Sequence, residues 1–209
     1  MISREGIPYI AFTGALAVVF LVLRTPVVAV AFLLGLVFFV NFFRDPERTP
    51  PEDALAIISP ADGKIVYAGP KRQELAPEEF LYQVSIFMSP LDVHVNRAPY
   101  DGKVREVSHS PGGFQAAYLE DASLHNEQTS LYIDTEHGPI LVRQIAGALA
   151  RRIVCRAHQG DLLRKGQRFG MIKLGSRVDI FLPENTELTV KVGQKVKAGQ
   201  SILARWRQG

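Results

Sequence analysis

Two apolar runs at the N-terminus restrict the fold of this chain more than any other feature. Tyr9 to Leu23 is apolar apart from Thr13 and Gly14, and Val27 to Val40 is almost unbroken; Arg24-Thr25-Pro26 separates them. Each run is near the lower limit of roughly 17 to 25 residues needed to span a bilayer. A single helix through both would be too long and would carry Arg24 and Pro26 at its middle. The pattern predicts two short helices joined by a tight turn, either a spanning hairpin or a re-entrant wedge in one leaflet. A buried hairpin of a soluble core is the competing reading, but such helices normally show a polar face. A cleaved signal peptide fits poorly, because a second apolar run follows at once. With Arg4 before the pair and Arg44 and Arg48 after it, the positive-inside tendency puts both flanks in the cytoplasm. Residues 1–43 are therefore expected to anchor the chain at the cell membrane, with the remainder on the cytoplasmic face.

Residues 44–51, Arg-Asp-Pro-Glu-Arg-Thr-Pro-Pro, are charged and proline-rich and read as a linker. Residues 52–209 then form one β-rich domain. Its strand-like runs include Ile65-Val66-Tyr67, Val84 to Met88, Ser130 to Ile133, Ile140 to Val142, Arg152 to Val154, Val178 to Leu182, Leu188 to Val190 and Ser201 to Ala204. Gly, Pro, Asn and Asp punctuate them, as in an antiparallel sandwich or barrel. Residues 74–80 read as a short helical or irregular insertion. Two internal echoes stand out. Asp62-Gly63-Lys64-Ile65 recurs as Asp101-Gly102-Lys103-Val104, and Gly160 to Gln167 recurs as Gly193 to Gln200. The second pattern, Gly-x-x-Val/Leu-x-x-Gly-Gln, resembles the hairpins of biotinyl/lipoyl-type barrel-sandwich hybrids, where glycines make the turns. The expected fold class is mainly β: a quasi-duplicated, barrel-sandwich-hybrid-like domain preceded by a hydrophobic helical hairpin.

With 22% charged and 47% hydrophobic residues among 209, the chain has a sizeable core and no disorder signature. A formal charge of +3 is a mild bias towards anionic surfaces. No Arg/Lys stripe with interleaved aromatics points to nucleic acid. Cys155 is the only cysteine, so disulfides and thiolate clusters are out, and its flanks mark it as a buried structural thiol. No His/Asp/Glu spacing commits to a metal.

Three short segments carry the chemistry: Ser59-Pro60-Ala61-Asp62-Gly63-Lys64, Asp92-Val93-His94-Val95-Asn96-Arg97-Ala98-Pro99 and Leu174-Gly175-Ser176. In a strained turn a serine hydroxyl can attack the carbonyl just before it, turning an amide into an ester. Glycine at that carbonyl leaves the approach open and tolerates unusual backbone angles. The hydroxyl is a weak nucleophile and needs a base. β-Elimination then leaves dehydroalanine, which loses ammonia to give a pyruvoyl terminus. Taken alone, a Gly-Ser turn is far more often structural than self-cleaving, Asp62 reads as an Asp-Gly turn, and His94 as a half-buried strand histidine.

In this order, however, the three segments resemble the phosphatidylserine decarboxylase family, and the resemblance covers most of the β domain. It implies self-cleavage between Gly175 and Ser176 into a large chain (1–175) and a small chain (176–209). It also implies that His94 acts as base towards Ser176, with Asp62 orienting its imidazole. The pyruvoyl group built from Ser176 would form a Schiff base with phosphatidylserine and drain electrons as CO₂ leaves, giving phosphatidylethanolamine with no metal or exogenous cofactor. Partners would be the phospholipid, the membrane and the two chains of one protomer; a homodimer is compatible with this reading. Two positions depart from the family pattern. Arg97 stands where many members have a second histidine, and Arg177 follows the serine where threonine is familiar; both are expected as anion contacts for substrate. His109 and Phe114, in a glycine-containing loop, are expected to line the pocket, with Asn126 and Glu127 supporting it. Two alternatives stay open: a membrane-anchored, non-enzymatic barrel-sandwich adaptor, and the same decarboxylation on another serine-headed lipid.

Overall fold

The structure, a computed structural model, describes residues 1–72, 75–113, 122–147, 152–173 and 176–207. It divides into two units, Met1–Glu47 and Arg48–Gly209.

In the first unit the apolar runs form α1 (Ile7–Val22) and α2 (Pro26–Phe42). Pro8 and Pro26 fall in first turns, where a missing N–H costs nothing. Arg24 makes the reversal with a φ of 56°. Phe20 then stacks on Phe32 at 5.3 Å, and Tyr9 meets Phe39 and Phe43 at 5.6 and 5.4 Å. Early residues of α1 thus face late residues of α2, as in an antiparallel hairpin. Phe12, Leu21, Leu34 and Val37 point outwards and are more than half exposed. A contiguous apolar exterior of this kind calls for an apolar surrounding. The helical run Arg4–Val22 is long and apolar enough to cross a membrane; α2, with 17 residues, is shorter.

Among the described residues the second unit has fourteen strands. The first five are β1 (Ala56–Ile58), β2 (Gly63–Pro70), β3 (Tyr82–Met88), β4 (Val95–Arg97) and β5 (Gly102–Ser110). After a four-residue helix, α3 (Ala122–His125), come β6 (Gln128–Thr135), β7 (Gly138–Ile145), β8 (Ile153–Cys155), β9 (Leu162–Leu163) and β10 (Arg168–Ile172). The last are β11 (Ser176–Leu182), β12 (Thr186–Leu188), β13 (Lys195–Val196) and β14 (Ile202–Trp206). Eight strands make one curled antiparallel sheet, β13-β2-β3-β11-β7-β6-β5-β9, and the others form two three-stranded sheets, β1-β14-β12 and β4-β10-β8. One face of the large sheet buries Ile65, Ile86, Leu131, Val142, Val178 and Ile180 with Phe169, Leu203 and Trp206. On the other face Phe181 and Leu141 pack under Leu75 and Phe80 of the irregular 75–80 segment.

The mainly β class, the helix pair and the duplication are all present. β13 and β9 are the two edges of the large sheet. Lys195 and Val196 pair with Lys64 and Gly63, as Leu162 and Leu163 pair with Lys103 and Gly102. The flanking bonds repeat too: Gly193 N–H to Ile65 O at 2.8 Å against Gly160 N–H to Val104 O at 2.9 Å. The small sheets correspond in the same way, with β4, β10 and β8 taking the places of β1, β14 and β12. Gly63 is needed where β2 begins: its φ is +149°, and a Cβ there would run into the Phe87 carbonyl.

Candidate active site

Ser176 is the first residue of β11, a central strand held in register by β3 and β7. It is fully buried (0%) opposite Met88, and its Oγ lies 3.4 Å from the Met88 sulfur. From Met88 the chain runs through Ser89–Val93 to His94, whose carbonyl accepts the Ile172 N–H at 3.3 Å. Ile172 ends β10 four residues before Ser176. The segments carrying His94 and Ser176 thus meet at one end of the large sheet. Gly175 lies outside the described residues, as does Phe114.

His94 is fully buried, and its Nδ1 is 2.9 Å from the Asp92 carbonyl. A carbonyl only accepts, so Nδ1 carries the proton and Nε2 keeps the basic lone pair of the neutral ring. This backbone oxygen bonds the imidazole through Nδ1. The Asp62 carboxylate is engaged elsewhere. Arg48 holds it through two nitrogens, Nη1 to Oδ1 and Nη2 to Oδ2 at 2.8 Å, and the Ala198 N–H donates to Oδ1 at 2.8 Å. Both partners of the ion pair are nearly buried, so each guanidinium–carboxylate bond acts in a poorly screened setting.

The two arginines expected as anion contacts face other groups. Arg177 is only 2% exposed, and its Nε donates to Asp179 at 2.7 Å and its Nη2 to Ser85 at 2.9 Å. Alternation along β11 puts Arg177 and Asp179 on the opposite face from Ser176. Ser123 of α3 and Gln83 complete that cluster on Asp179. Arg143 lies near it, its guanidinium pKa pushed down by burial and partly restored by Asp179. Arg97 is also buried and donates through Nη1 to the Gly166 carbonyl at 3.0 Å. His109 is open to solvent, with Nδ1 3.1 Å from Thr129 Oγ1 and Nε2 3.9 Å from Glu127. Asn126 Nδ2 donates to Ala146 O at 2.7 Å and is a loop brace. Burial pushes the Cys155 thiol up, in keeping with a structural role. Among the described residues no group of three His, Cys, Asp or Glu is placed to hold a metal ion.

Sequence reasoning passed over Arg48, Met88, Asn96 and Gln144. Gln144 had a readable signal: it shares its parity with the core residues Ile140 and Val142, so a polar side chain occupies a core position. Asn96 stood inside the histidine segment. Arg48 carried no signal, since its partner is set by the fold alone.

Comparisons with known proteins show what the chain is similar to. The family model described as phosphatidylserine decarboxylase matches residues 36–204, from within α2 to within β14. A phosphatidylserine decarboxylase proenzyme of Syntrophus aciditrophicus is 46% identical over 206 residues, covering 97% of this chain and 96% of the relative. Proenzymes of the same description from Geobacter metallireducens and Geotalea uraniireducens are 45% and 44% identical, each covering 97% of this chain and 95% of the relative. A match of this extent runs through all three chemistry-bearing segments: the chain belongs to the phosphatidylserine decarboxylase family.

Proposed function

We propose that this chain is a self-processing enzyme that decarboxylates phosphatidylserine to phosphatidylethanolamine at a pyruvoyl group made from Ser176. The observation that carries the reading is the position of Ser176 at the head of β11, buried and paired with Met88 of β3, in a strand that β7 flanks on its other side from Arg177 onwards. A cut before it separates no sheet partners. The small chain, 176–209, contains β11, β13 and β14, which pair with β3, β7, β2 and β1 of the large chain, 1–175. A pyruvoyl group fits there, because its carbon skeleton is that of Ser176 itself and the ladder holds it in place.

Self-cleavage uses the chain's own groups. His94 Nε2 takes the Ser176 hydroxyl proton, and Oγ attacks the Gly175 carbonyl. The C–N bond breaks as the C–O bond forms, leaving an ester and a free Ser176 amine. Loss of the Ser176 α-proton then expels the Gly175 carboxylate and leaves dehydroalanine. Tautomerisation and attack by one water release ammonia and leave the ketone. Once formed, the pyruvoyl carbonyl supplies the electron sink for decarboxylation. His94 Nε2 is assigned to return a proton to the carbon that loses CO₂. Asp62, its carboxylate held by Arg48 and the Ala198 N–H, is assigned a supporting role in self-cleavage. Arg97 and Arg177 are not carried forward as substrate contacts, since their guanidinium groups are committed inside the protein; His109, open to solvent, is kept as one. The apolar pair over residues 1–43 holds the domain, 52–209, at the cytoplasmic surface of the cell membrane, where the lipid head group lies.

Intact mass of the wild type beside Ser176→Ala tests this. Two wild-type chains are expected, the smaller lighter by one ammonia than a serine-initiated chain, with Ser176→Ala uncut and inactive on phosphatidylserine vesicles. A single uncut wild-type chain in a folded preparation would sink the reading and leave the adaptor.

A further inference from the structure

Gln144 of β7 stands directly opposite Val178 of β11. Residues opposite each other in an antiparallel pair face the same side, so Gln144 shares a face with Val178 and, two residues along, with Ser176. Diagonal neighbours of this kind are about 7–8 Å apart at the backbone, within reach of a long side chain. Contacts trace the same path. Gln144 Nε2 donates to Asn96 Oδ1 at 2.8 Å; Asn96 Nδ2 reaches the Pro60 carbonyl at 3.4 Å and the Met88 sulfur at 4.0 Å; that sulfur is 3.4 Å from Ser176 Oγ. One thioether separates the amide pair from the serine.

The other end of the Gln144 amide is unusual. The residue is 1% exposed, and its Oε1 has no hydrogen-bond partner among the described residues. A buried carbonyl without a donor is destabilising and rare. The backbone of Gly170 is pressed against the same amide: a Cβ there would come within 2.9 Å of Nε2 and would collide with the Val154 carbonyl. Gln144 is therefore held where it is, with its acceptor open.

We infer that Gln144 Oε1 receives the nitrogen of Ser176 as self-cleavage turns it from amide to amine, an inference that rests on the self-cleavage reading above. The amide nitrogen has one N–H and no usable lone pair. When Oγ bonds to the Gly175 carbon and the C–N bond breaks, the hydroxyl proton passes through His94 to that nitrogen. It becomes an amine with new N–H donors at a residue that is fully buried. A buried amine without acceptors is costly and drives the ester back to amide. Gln144 Oε1 is an acceptor on that face, and it holds the amine until it departs as ammonia.

The test uses the full-length chain in detergent or membranes, following cleavage by intact mass after synthesis. Gln144→Leu, similar in size and without the orphan acceptor, is expected to slow cleavage roughly ten- to hundredfold, the value of one hydrogen bond to a charged group. In an uncut Ser176→Ala background the same change removes one orphan carbonyl and leaves another at Asn96 Oδ1, so the melting temperature is expected to stay nearly unchanged. Gln144→Glu keeps an acceptor and is expected to cleave faster than Gln144→Leu. Cleavage of Gln144→Leu at the wild-type rate overturns the inference. So does slow cleavage with a lowered melting temperature and no rescue by Gln144→Glu, which would make Gln144 a packing residue. A wild type that never cleaves overturns the self-cleavage reading itself, whereas a cleaving wild type beside an unimpaired Gln144→Leu overturns only the role of Gln144.

Discussion

The two halves of the β domain repeat the same edge pairings and carry different side chains at matching places. Two matching bonds cross between the halves: the Arg97 N–H donates to Pro60 O at 3.0 Å, and the Ile58 N–H donates to Pro99 O at 3.0 Å. Asp62 Oδ1 accepts the Ala198 N–H at 2.8 Å, and Asp101 Oδ1 accepts the Lys165 N–H at 2.9 Å, from equivalent positions in the two hairpins. That aspartate-to-hairpin bond therefore belongs to the fold. The differences lie in what surrounds it. Asp62 is buried and paired with Arg48, whereas Asp101 is exposed. Counting back from each aspartate, Asn96 and Arg97 occupy the places of Ile57 and Ile58. The duplicated scaffold supplies rigid strand ends, and the candidate site arises where one copy replaced apolar residues by polar ones and the other buried its acid.

If that asymmetry matters for chemistry, Asp62→Asn is expected to slow self-cleavage about a hundredfold or more, while Asp101→Asn leaves it within about twofold. Time courses of chain mass decide this; equal slowing in both variants would reduce Asp62 to a turn residue. Arg48→Met strips the cation from a buried carboxylate and should cost about 3–5 kcal/mol of stability, measured by denaturant unfolding of the Ser176→Ala chain. A loss below about 1 kcal/mol would mean the pair is wetter than its burial indicates. Gly63→Ala and Gly102→Ala compare the two strand starts. Both would thrust a Cβ at a carbonyl, of Phe87 and of Asp134, but only Gly63 also has a positive φ. Expected losses are roughly 3 and roughly 2 kcal/mol. The smallest effect concerns Cys155, which holds in β8 the place Leu188 holds in β12. Burial raises its thiol above the unfolded value, so the folded state binds that proton more tightly. Stability should decline as pH climbs past about 8.5, and Cys155→Ala should remove that part of the decline in pH-dependent melting.

Much of the architecture was legible. The apolar runs marked α1 and α2, the Val/Ile runs marked β3, β6, β7 and β11, and the glycine hairpins marked the duplication. β5 escaped notice because its register shifts between Val104 and Glu106, which breaks the alternation that a period-two reading needs. β12 was expected two residues late, since its Thr186 and Glu187 carry little apolar signal. At the candidate site the Gly-Ser pair and the histidine segment were readable. Nothing at Asp62 announced Arg48, whose guanidinium, from the linker segment, holds that carboxylate in the fold.

The sequence by itself determined the helix pair, the β character, the repeat and the serine on which the proposed chemistry turns. These are local patterns, set by hydrophobic period, turn residues and short motifs, and they need no knowledge of what packs where. Only the tertiary structure decided that the two hairpins cap opposite edges of one sheet, that Asp92 holds the His94 ring, and that Arg177 turns away from Ser176. It alone set Gln144 beside Asn96 with one oxygen unused. Except for the local Asp92–His94 bond, these depend on pairing between residues far apart in the chain, and a shift of one residue in register would send Arg177 and Gln144 to the other face.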